Sequence, residues 1–126
     1  KVRKMIFGIG TDIVLISRIK NSKAFAEKIL SASEMQLWEE KTSSKQQNFL
    51  AKQFACKEAV AKAIGTGFSN TIFPKDIEIL RNSAGKPYIN AQANLEEVFS
   101  DLRIINSHVS IADEIDYVVA FVIIET

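Results

Sequence analysis

The stretch from Phe54 to Gly67 constrains the fold of this chain more than any other part of the sequence. It reads FACKEAVAKAIGTG, with helix-forming residues up to Ile64 and a glycine directly after them. Many of its side chains are small, so neighbouring elements can approach the helix closely on most sides. We therefore predict a helix over 46–64 that ends at Gly65 and lies at the centre of the fold.

Glu58 is the one carboxylate within this predicted helix. On a helical wheel it lies about 40° from Phe54, on the face that also holds Leu50 and Ala61, and we predict that this face belongs to the core. An unpaired buried charge is too costly to retain, so the carboxylate needs a partner. Lys62, one turn later, is the simple partner, in the favourable i,i+4 order. A bound cation is the alternative, and the helix alone does not decide between them.

Length and composition limit the classes of protein that this chain can represent. Its 126 residues suit one domain over 1–126, with residues 1–4 as an extension before Met5. Sixteen basic and fifteen acidic residues leave a net charge of +1, which argues against a protein that coats nucleic acid. A single cysteine excludes an internal disulfide. The longest apolar run, 117–124, is shorter than the roughly 20 residues of a membrane span. We expect a cytoplasmic protein without nucleic acid or membrane as a partner.

The order of the predicted elements indicates an α+β fold. A strand over 5–9 comes first, and helices over 24–30, 34–41 and 46–64 follow, the second of them capped by Ser33. The second half contains strands over 77–80, 86–90, 107–111 and 117–125, with a turn at 82–85 and a helix over 91–100. Grouped helices and strands are typical of α+β domains with antiparallel strands.

The last predicted strand is apolar without alternation, which predicts that both of its faces are covered. In a domain of this size, one of the covers can be another subunit.

Asp12 is the second carboxylate of interest. We predict that Gly10 loosens the backbone at Thr11 and Asp12, so that Asp12 lies just past the end of the first strand, where irregular backbone brings side chains into clefts. The alternative is that Thr11 or Asp12 caps a helical turn that begins at Ile13. The pair Gly8 and Gly10 does not predict dinucleotide binding, because the third glycine and the βαβ unit are missing.

Three further short motifs have a structural and a functional interpretation. Gly65-Thr66-Gly67 is typical of a helix C-cap, and two exposed amides beside a hydroxyl can also hold a phosphate. Gly85-Lys86-Pro87 is typical of a hairpin turn with a solvated lysine. His108 is the only histidine, and alternation places it on the same side of its strand as Ser110.

Six segments of the sequence resemble one family in both residues and order. They are GIGTDI at 8–13, FAEKIL at 25–30, FACKEA at 54–59, KAIGTG at 62–67, GKP at 85–87 and HVSI at 108–111. Together they closely resemble holo-acyl-carrier-protein synthase, and the resemblance extends from Met5 to the last strand.

The resemblance implies a small 4′-phosphopantetheinyl transferase fold and activity. Such an enzyme moves 4′-phosphopantetheine from coenzyme A to a serine of apo acyl carrier protein, for fatty acid biosynthesis, and releases adenosine 3′,5′-bisphosphate. It implies that Asp12 and Glu58 hold Mg²⁺, or Mn²⁺ in its place, beside the coenzyme A pyrophosphate. This suits Mg²⁺, which usually takes one or two carboxylates plus phosphates and waters.

The resemblance also implies the residues that contact the substrates. Lys62 is expected to contact a phosphate, and the serine proton passes to Glu58 through water or to His108, with Glu58 favoured. The coenzyme A site is expected to include Lys62, Gly65, Thr66, Gly67, Lys86, Pro87, His108 and Ser110.

The family further implies a homotrimer with active sites between subunits. Apo acyl carrier protein is acidic, so we expect it to dock on a basic patch, which Arg18 leads and which consists of Arg18, Lys20, Lys23 and Lys28. The alternative is that these residues form an ordinary solvated face.

The chain departs from the family pattern at two places. Gln53 stands where many relatives have an arginine. The contact with a nucleotide phosphate that the arginine implies is therefore not predicted for this chain. Ala112 and Asp113 stand where the family often has Thr or Ser followed by His, so a second histidine is absent.

Two other functions remain as alternatives. A metal-dependent phosphodiesterase or nuclease is disfavoured, because two-metal sites need more carboxylates and the net charge is near neutral. A non-catalytic coenzyme A binding module is the other.

Overall fold

The computed structural model describes residues 5–68 and 72–126, and its elements follow the grouped order of an α+β fold. Residues 1–4, predicted as an extension before Met5, lie outside the described residues. The elements in chain order are β1 Ile6–Leu15, a 3-10 turn Ile16–Arg18, α1 Lys23–Ile29, α2 Ala32–Glu39, α3 Ser43–Ile64, a 3-10 turn Pro74–Asp76, β2 Ile77–Arg81, β3 Pro87–Ala91, α4 Ala93–Asp101, β4 Asn106–Asp113 and β5 Tyr117–Glu125.

The strands form two antiparallel sheets. Strand β5 lies in the middle of a three-stranded sheet of order β1-β5-β4, while β2 and β3 form a separate hairpin. In the larger sheet, Asp12 of β1 pairs with Ala120 of β5, which in turn pairs with Ile111 of β4. In the hairpin, Ile79 pairs with Ile89, and Gly85 in the turn has a φ of 86°.

Helix α3 packs on one face of the three-stranded sheet, and its backbone touches that of β1. A Cβ atom added to Gly8 would lie 1.9 Å from the carbonyl oxygen of Ala63, and one added to Gly10 would lie 1.9 Å from that of Ala59. No side chain fits into such a contact, so both positions require glycine. The central position predicted for this helix is confirmed by the burial of its alanines, its valine and Cys56.

A buried ion pair joins α3 to α2. The Nζ atom of Lys57 lies 2.8 Å from Oε1 of Glu34, and both side chains are fully buried. Glu34 also forms a capping box with Ser31, so Ser31 and not the predicted Ser33 is the N-cap of α2. The helix starts earlier than predicted because Glu34 is the third residue of its first turn and bonds back to the cap.

Two predictions about strands were wrong. Strand β1 extends to Leu15, so Asp12 lies within the strand and not past its end. Gly10 does not loosen the backbone, since it serves the contact with α3.

Strand β5 alternates in burial within one chain, so this chain covers only one of the two faces that we predict to be covered. Val118, Ala120 and Val122 are buried, whereas Val119 and Phe121 are exposed. The apolar outward side chains therefore need a cover from outside this chain, or face water.

In the described part of the chain, no helix has the length and apolar character that a membrane crossing requires.

Candidate active site

The contact between β1 and α3 places Asp12 beside the helix. Side chains alternate along a strand, so Asp12 projects to the same side as Gly10, towards α3. Because no side chain separates Gly10 from Ala59, the strand runs close enough for Asp12 to meet the helix side chains next to Ala59. These side chains are Glu58 and, one turn later, Lys62.

Lys62 is bound to β1 and not to Glu58. Its Nζ atom donates to the carbonyl oxygen of Thr11 at 3.0 Å and to Oδ1 of Asp12 at 3.1 Å. About half of the Lys62 side chain is exposed, whereas the Asp12 side chain is 15% exposed. The simple pairing of Glu58 with Lys62 is therefore wrong for this structure, because the closer approach of β1 offers Lys62 two oxygens.

Glu58 forms no ion pair within residues 5–68 and 72–126. Burial raises the pKa of its carboxyl, repulsion from Asp12 raises it further, and Lys62 opposes both. Two nearby carboxylates thus share the charge of one lysine. The cluster of Asp12, Glu58 and Lys62 therefore has less positive charge than its two ionised carboxylates need.

The side of α3 that carries Glu58 is less buried than predicted. Phe54 and Glu58 are only partly buried, and Lys62 is exposed. Neighbouring elements approach the helix on its other sides, where the side chains are small, so those side chains are buried while Phe54 and Glu58 stay partly exposed. The fully buried carboxylate of the fold is Glu34, which the helical wheel could not identify.

Two carboxylates suit a cation that takes its other ligands from a substrate. In the described ranges, no cluster of three or more His, Cys, Asp or Glu side chains could hold a metal by itself. Mg²⁺ is commonly held by one or two carboxylates, with phosphates and waters completing the octahedron. The donor set of Asp12 and Glu58, with a raised pKa on Glu58, therefore fits Mg²⁺.

The turn after α3 is a helix cap whose glycine amides are already used. Gly65 has a φ of 97°, which confirms it as the C-cap, and the amides of both Gly65 and Gly67 donate to the carbonyl oxygen of Ala61. The Thr66 hydroxyl donates to the carbonyl oxygen of Gly67. The expectation that two exposed amides of this turn hold a phosphate was therefore wrong for the amides of Gly65 and Gly67.

Lys86 and Pro87 lie at the tip of the hairpin, next to a cavity that sequence reasoning missed. The cavity has a volume of about 720 Å³ and lies between the hairpin, α2 and the first half of α3. Its walls combine two aromatic rings with four cations: Phe49, Tyr88, Lys41, Lys45, Lys52 and Arg81. The spacing of Lys45, Phe49 and Lys52 places them on one side of a helix, and this could have been found from the sequence.

Two of the departures from the family pattern are connected to this cavity, since Gln53 lines it and Asp113 contacts Lys52, which also lines it. Asp113, at the end of β4, lies with its Oδ2 atom 3.5 Å from the Nζ atom of Lys52. Gln53 is buried and is used inside the fold, since its Nε2 atom donates to Glu34 and to the carbonyl oxygen of Ile79.

His108 and Ser110 are exposed on the same side of β4, as predicted, but this is the outer face of the sheet. His108 pairs with Ile123, which pairs with Ile9, so the three side chains share one face. Asp12 is three residues from Ile9 and projects to the other face. The Nε2 atom of His108 lies 2.7 Å from Oε1 of Glu125. One chain therefore does not bring His108 to the Asp12–Glu58 pair.

The outer face of the three-stranded sheet is largely apolar, and residues 5–68 and 72–126 do not cover it. Ile13 is 64% exposed and lies opposite Val119, while Phe121 is 41% exposed and lies opposite Thr11. Contiguous exposed apolar area of this kind marks a surface for a partner.

The predicted basic patch is on the surface. It extends from the 3-10 turn after β1 through the following loop to α1, and its members are all exposed: Arg18, Lys20, Lys23 and Lys28.

Comparison with known proteins identifies a family for this geometry. Residues 8–122 match the family described as the 4′-phosphopantetheinyl transferase superfamily. A holo-[acyl-carrier-protein] synthase of Azoarcus sp. (strain BH72) is 44% identical over 127 residues, which cover 97% of this chain and 99% of that protein.

Solved structures give the same result. The holo-[acyl-carrier-protein] synthase of Neisseria meningitidis has a TM-score of 0.90 and 39% identity, with 97% of this chain and 100% of that chain covered. The synthase of Bacillus anthracis, solved in complex with CoA (3′,5′-ADP), has a TM-score of 0.84 and 33% identity, with 97% and 98% covered.

Replacing Glu58 by glutamine should raise, and not lower, the melting temperature of the metal-free protein near neutral pH. Since the pKa of Glu58 is raised in the folded state, folding stability is lost as the pH rises through that pKa. Glutamine avoids this loss, so the difference should disappear below about pH 4, where the carboxyl is protonated in both states.

Thermal melts in a chelator across this pH range measure the effect. The exposed Glu96→Gln serves as the control. A lower melting temperature for Glu58→Gln at neutral pH would instead indicate a stabilising pair with Lys62.

Proposed function

The chain belongs to the 4′-phosphopantetheinyl transferase superfamily, and we propose that Asp12 and Glu58 are the metal-binding carboxylates of its active site. The likeness to holo-[acyl-carrier-protein] synthases over almost the whole chain defines the activity. The enzyme transfers 4′-phosphopantetheine from coenzyme A to a serine of apo acyl carrier protein, which serves fatty acid biosynthesis. This replaces the two alternatives of a phosphodiesterase and a non-catalytic binding module.

The single observation that carries the metal site is the meeting of Asp12 and Glu58 at the β1–α3 contact. Their mutual repulsion is only partly compensated by Lys62, and the described residues provide no third ligand. Mg²⁺, or Mn²⁺ in its place, would neutralise charge on the coenzyme A pyrophosphate and lower the barrier to its cleavage. Its remaining ligands would be phosphate oxygens and water.

Lys62 and Glu58 have separate roles in this proposal. Lys62 holds the Asp12 carboxylate in place, and its exposed half can also face a phosphate of the substrate. Glu58 is the preferred base, acting through a water on the serine hydroxyl, because its raised pKa favours proton uptake. His108 is less suited within one chain, since it lies on the outer face of the sheet.

The cavity between the hairpin and α3 suits the nucleotide of coenzyme A. Phe49 and Tyr88 offer aromatic surface to a base, and the lysines around them offer charge to phosphates. Lys86 and Pro87 do not line the cavity themselves, but they directly precede Tyr88, which does. The Gly65–Gly67 turn, at the far end of α3, is proposed to contact the other end of the substrate.

We propose a homotrimer, because within one chain the predicted site residues lie in separate places. Around α3, the Lys45, Phe49 and Lys52 side of the helix is roughly opposite the Glu58 side, at about 100° per residue. His108 and Ser110 lie on the outer sheet face, which is also the uncovered apolar face. A neighbouring copy packed against this face can bring its carboxylates to these residues and complete the site.

Acyl carrier protein is proposed to dock on Arg18, Lys20, Lys23 and Lys28. The patch begins three residues after β1, the strand that carries Asp12, so a docked serine would arrive near the carboxylates. A cytoplasmic location stays a prediction, consistent with the free thiol of Cys56, whose pKa burial raises to about 12.

Asp12→Asn and Glu58→Gln should each lower transfer by orders of magnitude while the fold is retained, because shape is kept and the charge that holds Mg²⁺ is lost. Mass spectrometry of apo acyl carrier protein incubated with coenzyme A and Mg²⁺ measures the product. Raised Mg²⁺ should restore part of the rate in one of the two. Asp101→Asn and Glu96→Gln, both exposed on α4, are the matched controls. Full activity in folded Glu58→Gln would refute the metal site.

Phe121→Asp should convert the trimer to smaller species and reduce activity, since a charge on the apolar outer face opposes its burial between copies. Light scattering at micromolar concentration measures the assembly. Ile115→Asp, at a turn residue that is 94% exposed, should leave assembly unchanged. A wild-type protein that is a stable monomer would contradict the proposed trimer.

Arg18→Glu should raise the KM for acyl carrier protein and weaken its salt dependence, with little change in the KM for coenzyme A. Steady-state kinetics at several salt concentrations measure both constants. The exposed Arg103→Glu controls for net charge. An equal rise in the KM for coenzyme A would show that Arg18 does not serve docking alone.

A further inference from the structure

Among the residues that the structure describes, strand β2 has no strand partner on one of its two edges. It pairs with β3 on the other edge only, because β2 and β3 form a separate two-stranded sheet. Three buried polar side chains lie against the free edge: Glu34 of α2, and Gln53 and Lys57 of α3.

These side chains make the hydrogen bonds that a third strand would make. The amide of Ile79 donates to Oε2 of Glu34 at 2.9 Å, and its carbonyl oxygen accepts from Nε2 of Gln53 at 3.0 Å. The carbonyl oxygen of Ile77 accepts from Nζ of Lys57. The helices thus bind the backbone of β2 directly.

The three side chains have no donor left for a ligand. The ammonium of Lys57 has three hydrogens, and it donates to Glu34 and to the carbonyl oxygens of Pro74 and Ile77. The amide of Gln53 has two, given to Glu34 and Ile79. Gln53 also lines the cavity, but it has no hydrogen left to donate there, so we expect the three side chains to act on a ligand through the position of β2.

The hairpin depends on this connection. An isolated two-stranded hairpin is only marginally stable in water. This one carries Lys86 and Pro87 at its tip and contributes Arg81 and Tyr88 to the cavity. Lys57 is also the neighbour of Glu58 on α3, so a single helical turn presents one side chain to the hairpin and the other to Asp12.

We propose that Glu34, Gln53 and Lys57 are positioning residues for coenzyme A, which fix the β2–β3 hairpin against α3 at the spacing that the nucleotide requires. They act on nucleotide affinity and take no part in the transfer step. The inference rests on the proposed place of the nucleotide in the cavity. It gives a role to Lys57, which lies in the FACKEA segment at 54–59, and to Gln53, whose neutral amide completes the cluster where the family pattern has an arginine.

Lys57→Met and Gln53→Met test the inference. Lys57→Met removes the buried cation, whereas Gln53→Met keeps the Glu34–Lys57 pair and removes only the amide bonds, so it serves if the first variant fails to fold. We expect each folded variant to raise the KM for coenzyme A about tenfold or more, with kcat and the KM for acyl carrier protein nearly unchanged. Backbone hydrogen exchange should become faster at Ile79 and in β3, and stay unchanged in β5.

Ile124→Ala is the control for lost stability, because it leaves a cavity at the far end of the other sheet. It should lower the melting temperature without raising the KM for coenzyme A. An unchanged KM in folded Gln53→Met, or an equal rise in Ile124→Ala, would overturn the inference. Failure of the wild type to modify acyl carrier protein would instead refute the proposed function.

Discussion

The contact between the backbones of β1 and α3 is the interaction on which the rest of this structure depends. Gly8 and Gly10 leave no side chain between the strand and the carbonyl oxygens of Ala63 and Ala59. This approach brings Asp12 to Glu58 and Lys62, which no spacing within either element alone could do. The contact also explains why the helix is built from small residues, since a larger side chain at Ala59 or Ala63 would move the strand away.

A second connection holds the other half of the fold to the same helix. The buried Lys57–Glu34 pair binds the edge of β2, and breaking such a pair by removing one partner typically costs about 3–5 kcal/mol. Helix α3 therefore joins the two structures to which we assign the chemistry, the carboxylates on one side and the hairpin with its cavity on another. The outer face of the sheet remains apolar, and we propose that a neighbouring copy covers it and completes each site.

Much of this arrangement could be predicted from the sequence, because local patterns carried it. The small residues of α3 predicted its central place, and Gly65 predicted its end. The apolar run at the C-terminus predicted the limits of β5. The N-cap of α2 was a local error, whereas the errors at the candidate site were tertiary. Gly10 was interpreted as a break in the strand, although it serves a close approach, and Glu58 was placed in the core, although the partners of α3 leave its side open. The pair of Glu34 and Lys57 could not be found, since 23 positions separate residues that no periodicity relates.

Mn²⁺ binding in the presence of coenzyme A tests the account most directly. It is measured as the loss of the electron paramagnetic resonance signal of the free ion. Wild type, Gly10→Ala and Thr11→Ala should be compared after circular dichroism has shown each to be folded. A Cβ at Gly10 must push β1 away from Ala59, while Thr11 projects to the opposite face and leaves the contact intact. We expect Gly10→Ala to weaken Mn²⁺ binding by about tenfold or more, and Thr11→Ala to bind as wild type does. Equal affinity in folded Gly10→Ala and wild type would contradict the claim that this contact builds the metal site.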